Sequence, residues 1–91
     1  MKYINKKLTI ERISVESIAK KYGTPTYCYS YNGLKENIDN FKKNFKSFSP
    51  LICFAIKSNT NTNLIKEIKK FGLGADVVSM GELMTAVKAG I

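Results

Sequence analysis

Ninety-one residues of 10.2 kDa suffice for one small domain, and no apolar run approaches the ~20 residues a bilayer span requires. A hydrophobic fraction of 44% beside 24% charged residues supports a packed core and argues against a disordered tail. The net charge of +8 invites a nucleic-acid reading, but fourteen of the fifteen cations are lysines scattered from Lys2 to Lys88, and Arg12 is the single guanidinium of the kind such surfaces favour, so no nucleic-acid partner is expected.

The opening Met1–Lys7 is charged and lacks a following apolar stretch, so it does not read as an export signal. A cytoplasmic protein is expected, with Cys28 and Cys53 as buried, reduced thiols. Leu8–Ile10 reads as a short strand. Ser14 can cap a helix over Val15–Tyr22, with Ile18 and Tyr22 on one face; Gly23 supplies a left-handed C-cap, and Pro25 stops continuation. Thr26–Ser30 has strand-type residues. Asn32 can cap a helix over Gly33–Phe48, in which Leu34, Ile38, Phe41 and Phe45 form an apolar stripe. Leu51–Ile56 is continuously apolar and reads as a parallel strand buried on both faces. A helix from Thr62 or Asn63 to Phe71 turns Leu64, Ile65, Ile68 and Phe71 inward, and Gly72 and Gly74 end it. Ala75–Ser79 reads as a second strand and Gly81–Lys88 as a last helix closed by Gly90. Strand, helix, strand, helix is the α/β order, and a right-handed crossover sets the two strands side by side.

Chemistry concentrates after those strands. Cys53, Ala55 and Lys57 share one strand face, while Ile52, Phe54 and Ile56 share the other. If the bulky set meets outer helices, Lys57 lies at the carboxyl end of the interior face, where α/β barrels build their sites. Burial there would depress an amine's pKa and suit a Schiff base with an aldehyde cofactor. The same pattern also fits a lysine that marks the strand end and reaches solvent. Asp76, near the start of the next strand, either pairs with a cation or is exposed. Glu82 is either a second acidic group of the site or, the reading the sequence favours, a first-turn carboxylate placed by the helix dipole. Gly72-Leu73-Gly74 follows a helix and lacks the third glycine of a dinucleotide fingerprint. The absence of histidine excludes His-based metal sites and Ser-His triads within these residues, and no metal is expected.

Three motifs in order carry a resemblance. Phe54-Ala55-Ile56-Lys57-Ser58-Asn59 resembles the Y-A-V-K-A-N lysine motif of the fold-type III pyridoxal-phosphate decarboxylases. Gly72–Leu83 resembles their G-x-G-x-D-V-V-S-x-G-E-L segment. Tyr22–Ser30 resembles the Y-G-T-P-L-Y-V-Y-S entry of the diaminopimelate decarboxylase branch, and Ala86–Ile91 also fits. The departures, Ile56, Ser58 and Met80, remove no reacting group.

The resemblance implies a (β/α)8 barrel joined to a β-rich C-terminal domain. Residues 1–30 would be a strand, helix and strand lead-in, and 31–91 the start of the cofactor-binding barrel domain with its first two βα units. It further implies pyridoxal phosphate held covalently by Lys57, with Asp76 and Glu82 beside it. The implied reaction converts meso-2,6-diaminopimelate to L-lysine and CO2 in a homodimer that acts on a small amino-acid substrate. The glycine-rich phosphate loops and the substrate-binding arginine would lie downstream, so these 91 residues alone are expected to be inactive. An ornithine- or arginine-type decarboxylase, a racemase of the same fold, a basic nucleic-acid-binding module and a decayed gene fragment are the alternatives.

Overall fold

A computed structural model describes all 91 residues, which form a mixed α/β arrangement dividing into two compact units, Met1–Asn40 and Phe41–Ile91. No helix is long and apolar enough to cross a membrane.

The first unit opens with an antiparallel sheet of β1 (Lys2–Ile4), β2 (Lys7–Ile10) and β3 (Ile13–Ser14), in the order β1-β2-β3. Two tight turns join them, Asn5-Lys6 and Glu11-Arg12, and all four turn residues have positive φ. That backbone matches the twist of a two-residue hairpin, although it normally selects glycine. Thr9 is buried and donates its hydroxyl to the Lys2 carbonyl at 2.8 Å, tying β2 to β1.

Helix α1 (Val15–Tyr22) starts at Ser14, whose Oγ accepts the Ser17 N–H at 3.1 Å. It ends at Gly23, where φ is +83° and the N–H donates to the Ala19 carbonyl. Within it the Lys20 ammonium lies 3.1 Å from Glu16 and, with a smaller contribution from Lys7, holds that carboxyl below its usual range.

Thr26–Ser30 is not a strand. β-type composition needs a neighbouring ladder, and the two sheets of the chain are filled by other segments. Tyr27 is 91% exposed, and Cys28 is exposed rather than buried.

Helix α2 (Tyr31–Asn44) begins earlier than its composition suggests, because Ser30 and not Asn32 caps it. Ser30 Oγ accepts the Gly33 N–H at 3.0 Å. Glu11 adds a carboxylate that accepts from the Asn32 N–H at 2.6 Å and from the Ser30 hydroxyl at 3.1 Å. Anionic oxygens are favoured at that end of a helix. The helix stops at Asn44, short of Phe48, and Lys46–Phe48 tightens into a 3-10 turn. Of the apolar stripe only Ile38 is buried; Phe41 and Phe45 are exposed and stack with ring centroids 4.8 Å apart.

The second unit is built on a parallel pair, β4 (Cys53–Ala55) and β5 (Gly74–Asp76). Helix α3 (Thr62–Lys70) connects them, and α4 (Met80–Ala89) follows β5. The register matches Cys53 with Gly74, Phe54 with Ala75 and Ala55 with Asp76. Ile56, Ile65, Ala86 and Ala89 form the buried cluster, with Phe54, Ala75, Val77 and Ile91 packed against it. The bulky strand residues therefore face the helices, as alternation predicts. The other face is open: Leu51 is 80% exposed and Cys53 is an exposed free thiol. The expectations of a strand buried on both faces and of a core cysteine are both corrected, because one helical layer covers only one side of the pair.

Helix α4 ends at Gly90, whose φ of +92° and donation to the Ala86 and Val87 carbonyls make a left-handed cap. A Cβ there would approach Lys69 Nζ at 3.0 Å, a flexible tip that can yield, so the cost of Gly90→Ala is the backbone conformation. We expect a loss of about 1–2 kcal/mol, read as a lower urea midpoint.

Candidate functional site

Three side chains were singled out by sequence, and all three lie where the parallel strands end. Lys57 follows β4 in a 3-10 turn, Ile56–Ser58, rather than extending the strand. The turn is pinned three times. Ile56 is 0% exposed, Ser58 Oγ donates to the Ala55 carbonyl at 2.7 Å, and the Asn59 N–H donates to the Ile56 carbonyl at 3.1 Å. Asn59 then accepts the Asn61 N–H at 3.0 Å, and Asn61 caps α3 through the Asn63 N–H. The backbone around Lys57 is thus fixed while its side chain is exposed. The desolvated lysine imagined from the strand pattern is not what these residues show.

Asp76 is the last residue of β5, not its first. The strand expected over Ala75–Ser79 closes early because β4 runs out of ladder at Ala55, the register partner of Asp76. This shift brings Asp76 to the same carboxyl end as Lys57. Asp76 is exposed, and neither it nor Lys57 enters an ion pair.

Glu82 is half-buried in the first turn of α4. Its N–H donates to Ser79 Oγ at 3.1 Å, and its Oε2 accepts the Val78 N–H at 2.9 Å. Ser58 and Ser79 were not identified as contributors from the sequence. The Ser79-Met80-Gly81-Glu82 spacing is the S-x-x-E signature of a helix start and could have revealed the second of them.

The donor set fits an aldehyde cofactor. A primary amine on a fixed backbone and an accessible carboxylate one strand away are the groups that such a molecule uses for covalent attachment and for orientation. Two cavities lie elsewhere. One of about 530 Å³ is bounded by Thr9, Glu11, Arg12 and Ser30, and one of about 720 Å³ by Ile13, Ile18, Tyr22 and Tyr27. Neither is bounded by Lys57, Asp76 or Glu82.

Comparison with known proteins shows the family. Residues 32–91 match the family described as pyridoxal-dependent decarboxylase, pyridoxal binding domain. The diaminopimelate decarboxylase of Aquifex aeolicus is 44% identical over 91 residues, all of this chain and 21% of that protein. The enzyme of Neisseria meningitidis serogroup A is 39% identical over 83 residues, 91% of this chain and 20% of that protein. A crystal structure of the diaminopimelate decarboxylase of M. jannaschii superposes with a TM-score of 0.93 at 29% identity, covering 99% of this chain and 22% of that one. The same enzyme has been solved in complex with L-lysine. The chain spans about a fifth of the length of these relatives. With a match over 60 of its 91 residues, both parallel strands included, the chain belongs to the family of pyridoxal-dependent decarboxylases.

Proposed function

We propose that this chain supplies the cofactor-attaching part of a diaminopimelate decarboxylase, which converts meso-2,6-diaminopimelate to L-lysine and CO2. In this reading residues 1–30 are a lead-in and 31–91 are the first two βα units of a (β/α)8 barrel. The parent protein is a cytoplasmic homodimer. The observation that supports the proposal is the pairing of Ala55 with Asp76, which puts an acidic residue at the carboxyl end of β5, beside the strand whose following turn carries Lys57. Barrel enzymes place their chemistry at that end.

Lys57 holds pyridoxal phosphate through Nζ, and Asp76 offers carboxylate oxygens to cationic groups of the cofactor or substrate. When bound, the cofactor supplies an electron sink for the pair left on carbon as CO2 departs. The Lys57 amine, on a flexible four-carbon stem, can carry a proton to an atom within its reach. The Ser58–Ala55 and Asn59–Ile56 bonds keep the base of that stem in place. Glu82 stands on the same rim as a second acidic group.

Borohydride reduction of the native-length protein after incubation with pyridoxal phosphate, followed by peptide masses, tests the assignment. The pyridoxyl group is expected on Lys57 and on none of the other thirteen lysines of these 91 residues, with CO2 released from meso-diaminopimelate by the unreduced protein. A label spread over surface lysines with none preferred at Lys57 rejects it.

A further inference from the structure

The turn after β5 is closed by two opposed hydrogen bonds, from Glu82 N–H to Ser79 Oγ and from Val78 N–H to Glu82 Oε2. In a capping box the returning carboxylate takes the N–H of the cap residue itself. Here it reaches one residue further back, to Val78, and so grips the strand side of the turn as well as the helix. Only Val77 separates Val78 from Asp76, and Val77 packs against the Ile56, Ile65, Ala86 and Ala89 cluster. Asp76 is therefore bracketed. Its ladder pairing with Ala55 fixes one side, and an anchored Val77 followed by a tethered Val78 fixes the other.

We infer that Glu82 is a positioning residue, acting through the Val78 amide to hold the backbone that carries Asp76 beside Ala55 and Lys57. The inference rests on the reading of Lys57 and Asp76 given above and assigns Glu82 no contact with cofactor or substrate. Its chemistry is separable from that of a binding carboxylate. The Val78 N–H requires an acceptor oxygen, which a glutamine amide also provides, whereas a cationic ligand group would require the charge.

The test compares Glu82→Ala, Glu82→Gln and Ser79→Ala in the native-length protein. Two readouts are taken: amide hydrogen exchange at Val78, and the rate at which added pyridoxal phosphate becomes borohydride-trapped on Lys57. In Glu82→Ala, Val78 exchange is expected to rise about tenfold and trapping to slow by about 10- to 100-fold, the range for a lost charged-acceptor bond and a displaced site residue. Glu82→Gln restores both. Ser79→Ala weakens the helix start but leaves Val78 protected and trapping near the wild-type rate. Three results overturn the inference: Glu82→Gln behaving like Glu82→Ala, Ser79→Ala reproducing Glu82→Ala, or Val78 exchange unchanged in Glu82→Ala. A wild-type protein that never traps at Lys57 overturns the site reading itself and this inference with it. Wild-type trapping combined with any of the three results overturns this inference alone.

Discussion

Lys57→Arg is expected to leave the native-length protein folded, abolish borohydride trapping at position 57 and lower decarboxylation by a factor on the order of 10³ or more. The substitution keeps a positive charge and a long stem, so it isolates the primary amine. A guanidinium stays protonated at any working pH and presents no free nitrogen lone pair to an aldehyde. Folding should be indifferent to the change. The side chain is exposed, and the turn beneath it is held by Ile56, Ser58 and Asn59 rather than by the lysine. Surface substitutions of this kind stay within about 0.5 kcal/mol. Thermal unfolding, trapping and CO2 release measured on one preparation check all three expectations. Activity within tenfold of wild type, or an adduct moved to a neighbouring lysine at an undiminished rate, would show that position 57 is not the attachment point.

What the sequence disclosed depended on how local each signal was. The bounds of α1 follow from Ser14 at one end and Gly23 at the other, and the structure returns them unchanged, since both caps act within four residues of themselves. The closing glycine of α4 was legible for the same reason. The β1 and β3 strands escaped because their turns place asparagine, lysine, glutamate and arginine at positive φ, where a reader looks for glycine. The cap of α2 escaped in part because the carboxylate that completes it comes from Glu11, nineteen and twenty-one residues away in the chain from the groups it binds. No periodic pattern encodes a contact of that length. Leu51–Ile56 shows the opposite failure. A continuous apolar run looks the same whether one face or both are covered, and here the helices cover only the side of Phe54 and Ile56. Of the candidate site, the location of Lys57 just past a strand end was legible from alternation, whereas alternation left open whether that lysine serves a site or only reaches solvent. The place of Asp76 was not legible, because Val77-Val78-Ser79 has the composition of a strand and only the end of β4 reveals that the ladder has stopped.

Ile56→Ala should be the most destabilising single truncation near the site, and it probes whether packing sets the chemistry. Ile56 is 0% exposed and shares a cluster with Ile65, Ala86 and Ala89, so removing three carbons leaves a cavity in a unit with a small core. The expected cost is about 2–5 kcal/mol, against roughly 0.5–1.5 kcal/mol for Ile56→Val. Ile65→Ala on α3 provides the comparison, since Ile65 is equally buried in the same cluster but lies eight residues beyond Lys57. Both truncations should lower the urea midpoint by similar amounts. They should differ in trapping by pyridoxal phosphate under conditions where each variant remains folded. Ile56 is the residue that seats the Lys57 turn, and a shift of about 1 Å in a reacting group can cost on the order of 10²-fold. Ile56→Ala should therefore slow trapping well beyond Ile65→Ala. Equal trapping rates in the two would mean that the hydrogen bonds of Ser58 and Asn59 position Lys57 without help from the core. A large difference would mean that the buried isoleucine and the exposed lysine beside it form one device, in which burying the first orients the second.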